Sequence, residues 1–263
     1  MEKTRATVIS EDSFSAVLWA SNWPDLTTKP VCIRATTFHR TETTVEERVL
    51  YHLRCSPGFP RHLATYSYRR MRVTVCSWER GRTFRFRGDY GELTSYLRQL
   101  LWALVKLHAA GFFSRDVKPS NALWDHHTWS LTLIDFDLAA STGGPHTARL
   151  GTDGYMAPEV EARRQYGRNC DVWSAAVSVL GLLLRIPERD VLDHTPHQLL
   201  RRAEAKSAPV PLVSLLRRML DTNPVSRPQA EELITDQAFF LHQEVVGKGY
   251  SWQTNGKQKR SVF

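Results

Sequence analysis

Ser114 to Asn121 reads SRDVKPSN, Leu133 to Ala139 reads LIDFDLA, and Gly151 to Glu159 reads GTDGYMAPE. The first two clusters are each delivered by an apolar segment of recognisable period. Ahead of SRDVKPSN, Leu93 to Ala110 places Leu97, Leu100, Leu101, Leu104 and Leu107 at helical spacing, and Gly111 predicts the stop of that helix. Leu131 to Ile134 is an apolar run short enough to be a strand, so Asp135 stands at a strand's end. An Arg-Asp-Val-Lys tetrapeptide alone would read as a solvated loop.

The order and spacing of these clusters resemble the catalytic core of the eukaryotic-type protein kinase family in its serine/threonine pattern. The stretch LRQLLWALVKLHAAGFFSRDVKPSN, Leu97 to Asn121, is similar to the family's catalytic helix and loop almost position by position. The resemblance implies an α+β, bilobal protein kinase fold, with a small β-rich N-terminal lobe and a larger helical C-terminal lobe. It makes Asp116 the catalytic base, has Lys118 contact the transferred phosphoryl group, and gives Asn121 and Asp135 to a metal ion. ATP and Mg2+ are the cofactors it implies. Phe136 is expected to pack inward, Thr152 to bond to the base and its lysine, and Glu159 to pair with Arg227 in NPVSRPQA. Asp171 matches the aspartate that anchors the catalytic loop from the central helix. Arg115 leaves open the ordering of the activation segment by a phosphorylated residue, and Thr147 is the best-placed acceptor.

Four positions depart from the family pattern. Ser114 stands where His is usual, Asp137 where Gly is usual and Arg34 where Lys is usual. SEDSFSAV, Ser10 to Val17, aligns with the phosphate-covering loop, keeping Phe14 and Val17 but carrying Ser10, Asp12 and Ser15 in place of its glycines. Side chains there oppose the close approach of backbone amides to phosphate. VCIR, Val31 to Arg34, aligns with the strand that carries the lysine, and Glu46 in EERVLYHL with its helix partner. Arg34 can keep that ion pair, but its wide planar head does not substitute freely for an ammonium between phosphates; contact with nucleotide and a purely structural pair with Glu46 both remain open. Asp137 brings a second carboxylate near the metal site, which would hold a cation, repel phosphate, or face solvent.

Elsewhere the pattern is of short strands at Thr7 to Ala20, Val31 to Phe38, His62 to Tyr68 and Met71 to Trp78, with one helix over Val45 to Arg54. Beyond Gly88 helices are expected at Leu93 to Ala110, Cys170 to Leu184, Thr195 to Ala205, Val210 to Leu220 and Gln229 to Thr235. The kinase domain is expected over residues 1–241, its N-lobe to about 79, followed by a loose basic tail at 242–263. Trp124 and Trp129 flank a hairpin, and His126 and His127 read as surface residues without metal-ligand spacing.

The 263 residues suffice for one sizeable core or two small lobes. Cys32, Cys55, Cys76 and Cys170 form no CxxC pair, which argues against a disulfide framework and a zinc site. With no signal-peptide core at the start, an intracellular setting, cytoplasm or nucleus, is expected. The longest apolar run, Val172 to Leu184, is too short to cross a bilayer. Net charge is +8, and Arg54 to Arg87 holds nine arginines against the single acid Glu79, a balance of the same +8. Within it RGRTFRFR alternates basic and aromatic residues, a pattern that suits an acidic partner or nucleic acid, against the plainer reading of a solvated sheet edge.

Two functions follow. The first is a serine/threonine protein kinase with a protein substrate, acidic in character, in a minimal unit of the kind found in divergent viral kinases. The second is a pseudokinase acting as a binding module. The retained base and metal ligands favour the first, and the four departures favour the second.

Overall fold

The computed structural model describes residues 6–11, 15–22, 27, 29–37, 43–68 and 71–239. Asp12, Phe14 and the tail at 242–263 lie outside the described residues, and Ser10 is described in its backbone only.

β1 (Ala6–Glu11), β2 (Ser15–Ala20), β3 (Val31–Thr37), β4 (His62–Tyr68) and β5 (Met71–Ser77) form a five-stranded sheet in the order β1-β2-β3-β5-β4. Every neighbouring pair is antiparallel. Alternation along β3 sorts its residues between the two faces. Val31 and Ile33 are buried with Ala20 and Val75 in a small cluster, which leaves Cys32 and Arg34 for the other face. Cys76, the register partner of Cys32, belongs to the larger core together with Val49, Leu50 and Leu53 of α1 (Val45–Leu53). The sheet thus turns the face carrying Arg34 towards α1 and the rest of the molecule. Thr44 caps α1 by accepting the Glu47 N–H at 3.1 Å.

Beyond the sheet, β6 (Arg82–Thr83) leads to α2 (Tyr90–Ala109), the central amphipathic helix. It begins three residues ahead of Leu93 because Asp89 accepts the Gly91 and Glu92 N–H groups at 2.8 and 3.2 Å. Gly111, at φ +83°, follows its end. β7 (Phe112–Phe113) pairs with β10 (Ala140–Ser141), and β8 (Ala122–Asp125) and β9 (Ser130–Leu133) form the hairpin between Trp124 and Trp129. The remaining helices are α3 (Pro158–Glu161), α4 (Asn169–Leu184), α5 (Pro196–Ala205), α6 (Val210–Met219) and α7 (Ala230–Leu233). α4 is buried along nearly its whole length, as its apolar run predicts.

Two expectations need correction. The helix expected over Gln229 to Thr235 is the single turn of α7, which ends where Asp236 folds back on Leu233 through a 3.0 Å backbone bond. His126 is not simply a surface residue: its Nδ1 lies 2.6 Å from Glu92 Oε1, and its ring stacks on Phe84. Glu92 is buried at the start of α2, and Trp124 Nε1 donates to the same oxygen at 2.8 Å, so the carboxylate collects the donors its burial demands.

Candidate active site

The loop after β7 is held from beneath by α4. Asp171 is fully buried, and its Oδ2 accepts the Ser114 N–H at 2.8 Å and contacts His108 Nε2 at 2.9 Å. Its Oδ1 accepts the Arg115 N–H at 2.9 Å. These bonds fix a backbone that turns through Arg115 at φ +66°, a conformation that a non-glycine residue keeps only when its surroundings impose it. Ser114 is buried as part of the same anchor.

The turn sets Asp116 against three donors. Thr152 Oγ1 donates to Oδ1 at 2.6 Å, Asn121 Nδ2 donates to Oδ2 at 2.9 Å, and Lys118 Nζ lies 2.8 Å from Oδ2. Lys118 also donates to Thr152 Oγ1 at 2.8 Å, closing a ring of Asp116, Lys118 and Thr152. Gly151, at φ +135°, allows the approach: a Cβ there would lie 2.7 Å from the Arg115 carbonyl oxygen. Glu159 and Arg227 meet as predicted, with two hydrogen bonds of 2.7 and 3.0 Å between nearly inaccessible side chains, and Arg227 also caps the Asp221 and Asn169 carbonyls.

Arg34 sits at the centre of a second cluster. Its Nη1 lies 3.2 Å from Glu46 Oε2 on α1 and pairs with Asp137 Oδ2, and its Nη2 is 3.4 Å from Asp135 Oδ1. Asp135 is held at φ +64°, and Phe136 beyond it is fully buried against Phe59, ring centroids 5.9 Å apart. The Phe136 N–H points to Glu46 Oε1 at 3.5 Å. Burial pushes the Glu46 carboxyl well above the usual carboxylate range; Arg34 opposes the rise, and the Asp137 and Asp135 charges add to it. Val17 is the register partner of Arg34 on β2. Asp137 therefore does not simply face solvent: its Oδ2 pairs with Arg34, and its carboxylate stands with those of Glu46 and Asp135, with oxygens within 4.8 Å of one another. Sequence reasoning missed this pairing, although both departures were visible; the available signal was their joint occurrence.

Asn121 uses its amide nitrogen on Asp116, which leaves its amide oxygen, and the Asp135 carboxylate is 37% exposed. A carboxylate and an amide oxygen are the hard donors that Mg2+ takes, so these residues fit that ion. Arg115 bonds the Leu138 carbonyl at 2.5 Å and reaches Tyr166 Oη at 3.3 Å, while Tyr166 Oη donates to the Ala148 carbonyl at 2.7 Å. Exposed Thr147 neighbours that strut.

The arginine-rich stretch is less uniform than its sequence. Arg72 is spent on Glu47, with two bonds of 2.6 Å. Phe84 is buried at 1% exposure between Tyr96 and Trp124, and Phe86 packs on Tyr90, so the aromatic members of RGRTFRFR hold the fold. Arg80, Arg82, Arg85 and Arg87 remain exposed. Among the described residues, no helix is long and apolar enough to cross a membrane.

The protein kinase domain family matches residues 85–240, more than half of the chain. The chain is similar to "Hormonally up-regulated neu tumor-associated kinase" of Mus musculus, 32% identical over 172 residues, which cover 61% of this chain and 24% of that protein. Its homolog B in Xenopus laevis is 32% identical over 171 residues, covering 60% and 27%. "Mitogen-activated protein kinase kinase kinase 1" of Rattus norvegicus is 29% identical over 240 residues, covering 80% and 16%. The chain thus spans 16% to 27% of the length of these relatives. The family match begins at Arg85, beyond the five-stranded sheet.

Proposed function

This chain belongs to the protein kinase family, and on that premise we propose that it is a serine/threonine protein kinase, moving the γ-phosphoryl group of ATP to a protein hydroxyl. The observation that carries the proposal is the ring of Asp116, Lys118 and Thr152, with bonds of 2.6 to 2.8 Å. In that ring Asp116 accepts the proton of the substrate hydroxyl as its oxygen bonds to phosphorus, and the bond to the ADP oxygen breaks. Lys118 places a positive charge beside the base, where negative charge on the transferred group is lowered in energy. Asn121 and Asp135 would hold Mg2+, which supplies neutralisation of the phosphate oxygens when bound. The test is transfer from labelled ATP to peptides that differ only in Ser, Thr or Tyr, with Asp116→Asn as control; transfer to tyrosine alone, or undiminished transfer by the variant, would refute the proposal.

A second reading, a pseudokinase binding module, is favoured by one observation: the Arg34 cation is already shared among Glu46, Asp135 and Asp137. Nucleotide binding measured with and without Mg2+ separates the two. Under either reading the four exposed arginines of Arg80 to Arg87 suit an acidic protein segment better than nucleic-acid bases, since the neighbouring aromatic rings are packed away. We place the protein inside the cell, on its four free cysteines.

A further inference from the structure

We infer that Asp137 is a positioning residue that holds the Arg34 guanidinium off Asp135, so that the two unusual residues work only as a pair. The inference rests on the kinase reading for its consequence, though not for its geometry. A guanidinium beside a carboxylate tends to take it through two parallel N–H donors, a geometry an ammonium cannot adopt. Arg34 does not take Asp135 in that way: both of its contacts run to the single oxygen Oδ1, at 3.5 and 3.4 Å, the long edge of hydrogen bonding. Its Nη1 is drawn instead to Asp137 Oδ2, with Glu46 Oε2 at 3.2 Å on the same nitrogen.

Among the described residues, Arg34 is what explains the Asp137 carboxylate. Its side chain is 54% exposed, so it fills no core, and Arg34 is its salt-bridge partner. Its φ is not positive, so it does not stand in the left-handed region that would favour glycine there. What it does is compete. Without it, one strong cation would stand beside two carboxylates, Glu46 and Asp135, and the more exposed Asp135 would rotate into the vacated donors. That would cover the carboxylate best suited to Mg2+ and bind it to an arginine that never loses its charge. With Asp137 present, Asp135 keeps an exposed face and, among the described residues, only long contacts with Arg34. An ammonium at position 34 would have no second arm to restrain, and Asp137 would then be without this task.

The test uses Asp137→Asn, which keeps shape and removes charge, and Asp137→Glu as the conservative rescue. The Mg2+ concentration giving half-maximal binding of an ATP analogue is expected to rise about tenfold in Asp137→Asn, the size of one hydrogen bond to a charged group. It should recover largely in Asp137→Glu, and Asp137→Asn should have little effect in an Arg34→Lys background. An unchanged Mg2+ requirement in Asp137→Asn, or an equal shift with lysine at position 34, overturns the inference. If wild type binds no nucleotide, the kinase reading fails by itself, and the pair is judged without ligand. Asp135→Asn is then expected to lower the melting temperature more in the Asp137→Asn background than in wild type, because Arg34 would have turned to Asp135. Equal shifts in both backgrounds would end the inference.

Discussion

Thr152 Oγ1 lies 2.6 Å from Asp116 Oδ1, across 36 residues of chain, and the same hydroxyl accepts from Lys118 Nζ at 2.8 Å. The threonine is therefore a bridge whose two bonds orient both Asp116 and Lys118. Thr152→Val, which keeps the shape and removes the hydroxyl, is expected to lower kcat about tenfold, in line with the loss of one or two hydrogen bonds to charged groups. Thr152→Ser should retain most activity. Steady-state kinetics on the two variants checks this; equal kcat in wild type and valine variant would remove the bridge from the chemistry.

Asp116→Asn keeps the volume of the base and removes its proton affinity. The carboxylate receives Thr152, Asn121 and Lys118, and the amide would still accept from one of them, so the loop, anchored separately by Asp171, should stay in place. Transfer should fall by about a hundredfold or more, the usual worth of a positioned base, with the melting temperature within a few degrees. A circular dichroism melt beside the transfer assay reads both.

The loop from Ser114 to Asn121 stood out in the sequence because its polar residues lie within one motif and α2 announces it with a leucine period, while the roles of Asp116, Lys118 and Asn121 came from the resemblance. Thr152, Glu159, Asp171 and Arg227 were legible through resemblance, and the structure brings each to its expected partner. Of the Arg34 cluster the pair with Glu46 was legible in the same way, but the pairing with Asp137 was not, since it depends on where a forked side chain finds its carboxylates across elements that share no local signal. RGRTFRFR stayed open between an acidic or nucleic-acid partner and a solvated edge for another reason: alternation there separates a buried face from a solvated one, and period alone does not tell a stacking surface from a core edge.

Asp171 carries stability more than chemistry. Asp171→Ala would leave the Ser114 and Arg115 N–H groups and His108 without their acceptor in the core, each such loss costing about 1–3 kcal/mol. Urea denaturation is expected to show destabilisation of several kcal/mol. A change below about 1 kcal/mol would mean that water replaces the carboxylate at no cost.

The exposed arginines predict a salt-dependent contact. Arg82, Arg85 and Arg87 changed together to Gln should weaken binding of an acidic peptide at low ionic strength and leave ATP binding unaltered, because their charge is clustered and solvated. Binding in wild type should also decline steeply towards physiological salt. If the triple variant holds the peptide as tightly as wild type, the stretch is a solvated edge and nothing more.

Glu46 sets a pH dependence whose sign follows from crowding. Glu46, Asp135 and Asp137 share the Arg34 cation, and the most buried of them, Glu46, has its carboxyl raised by burial from the ordinary value of 4.5. Between the unfolded and the raised folded value, the folded chain therefore binds a proton at Glu46 more tightly than the unfolded chain does. Such a group favours folding fully below its unfolded pKa, and the advantage drains away as pH rises through the window between the unfolded and folded values. The ligand-free protein is accordingly expected to lose stability from about pH 5 towards about pH 8, and Glu46→Gln, neutral throughout, should flatten that part of the slope. Arg34 stays charged across the range and adds no slope of its own. Thermal melts of both proteins in matched buffers provide the check. Parallel curves for wild type and Glu46→Gln would show that Arg34 keeps the carboxylate ionised after all, and that its two other partners do not crowd it.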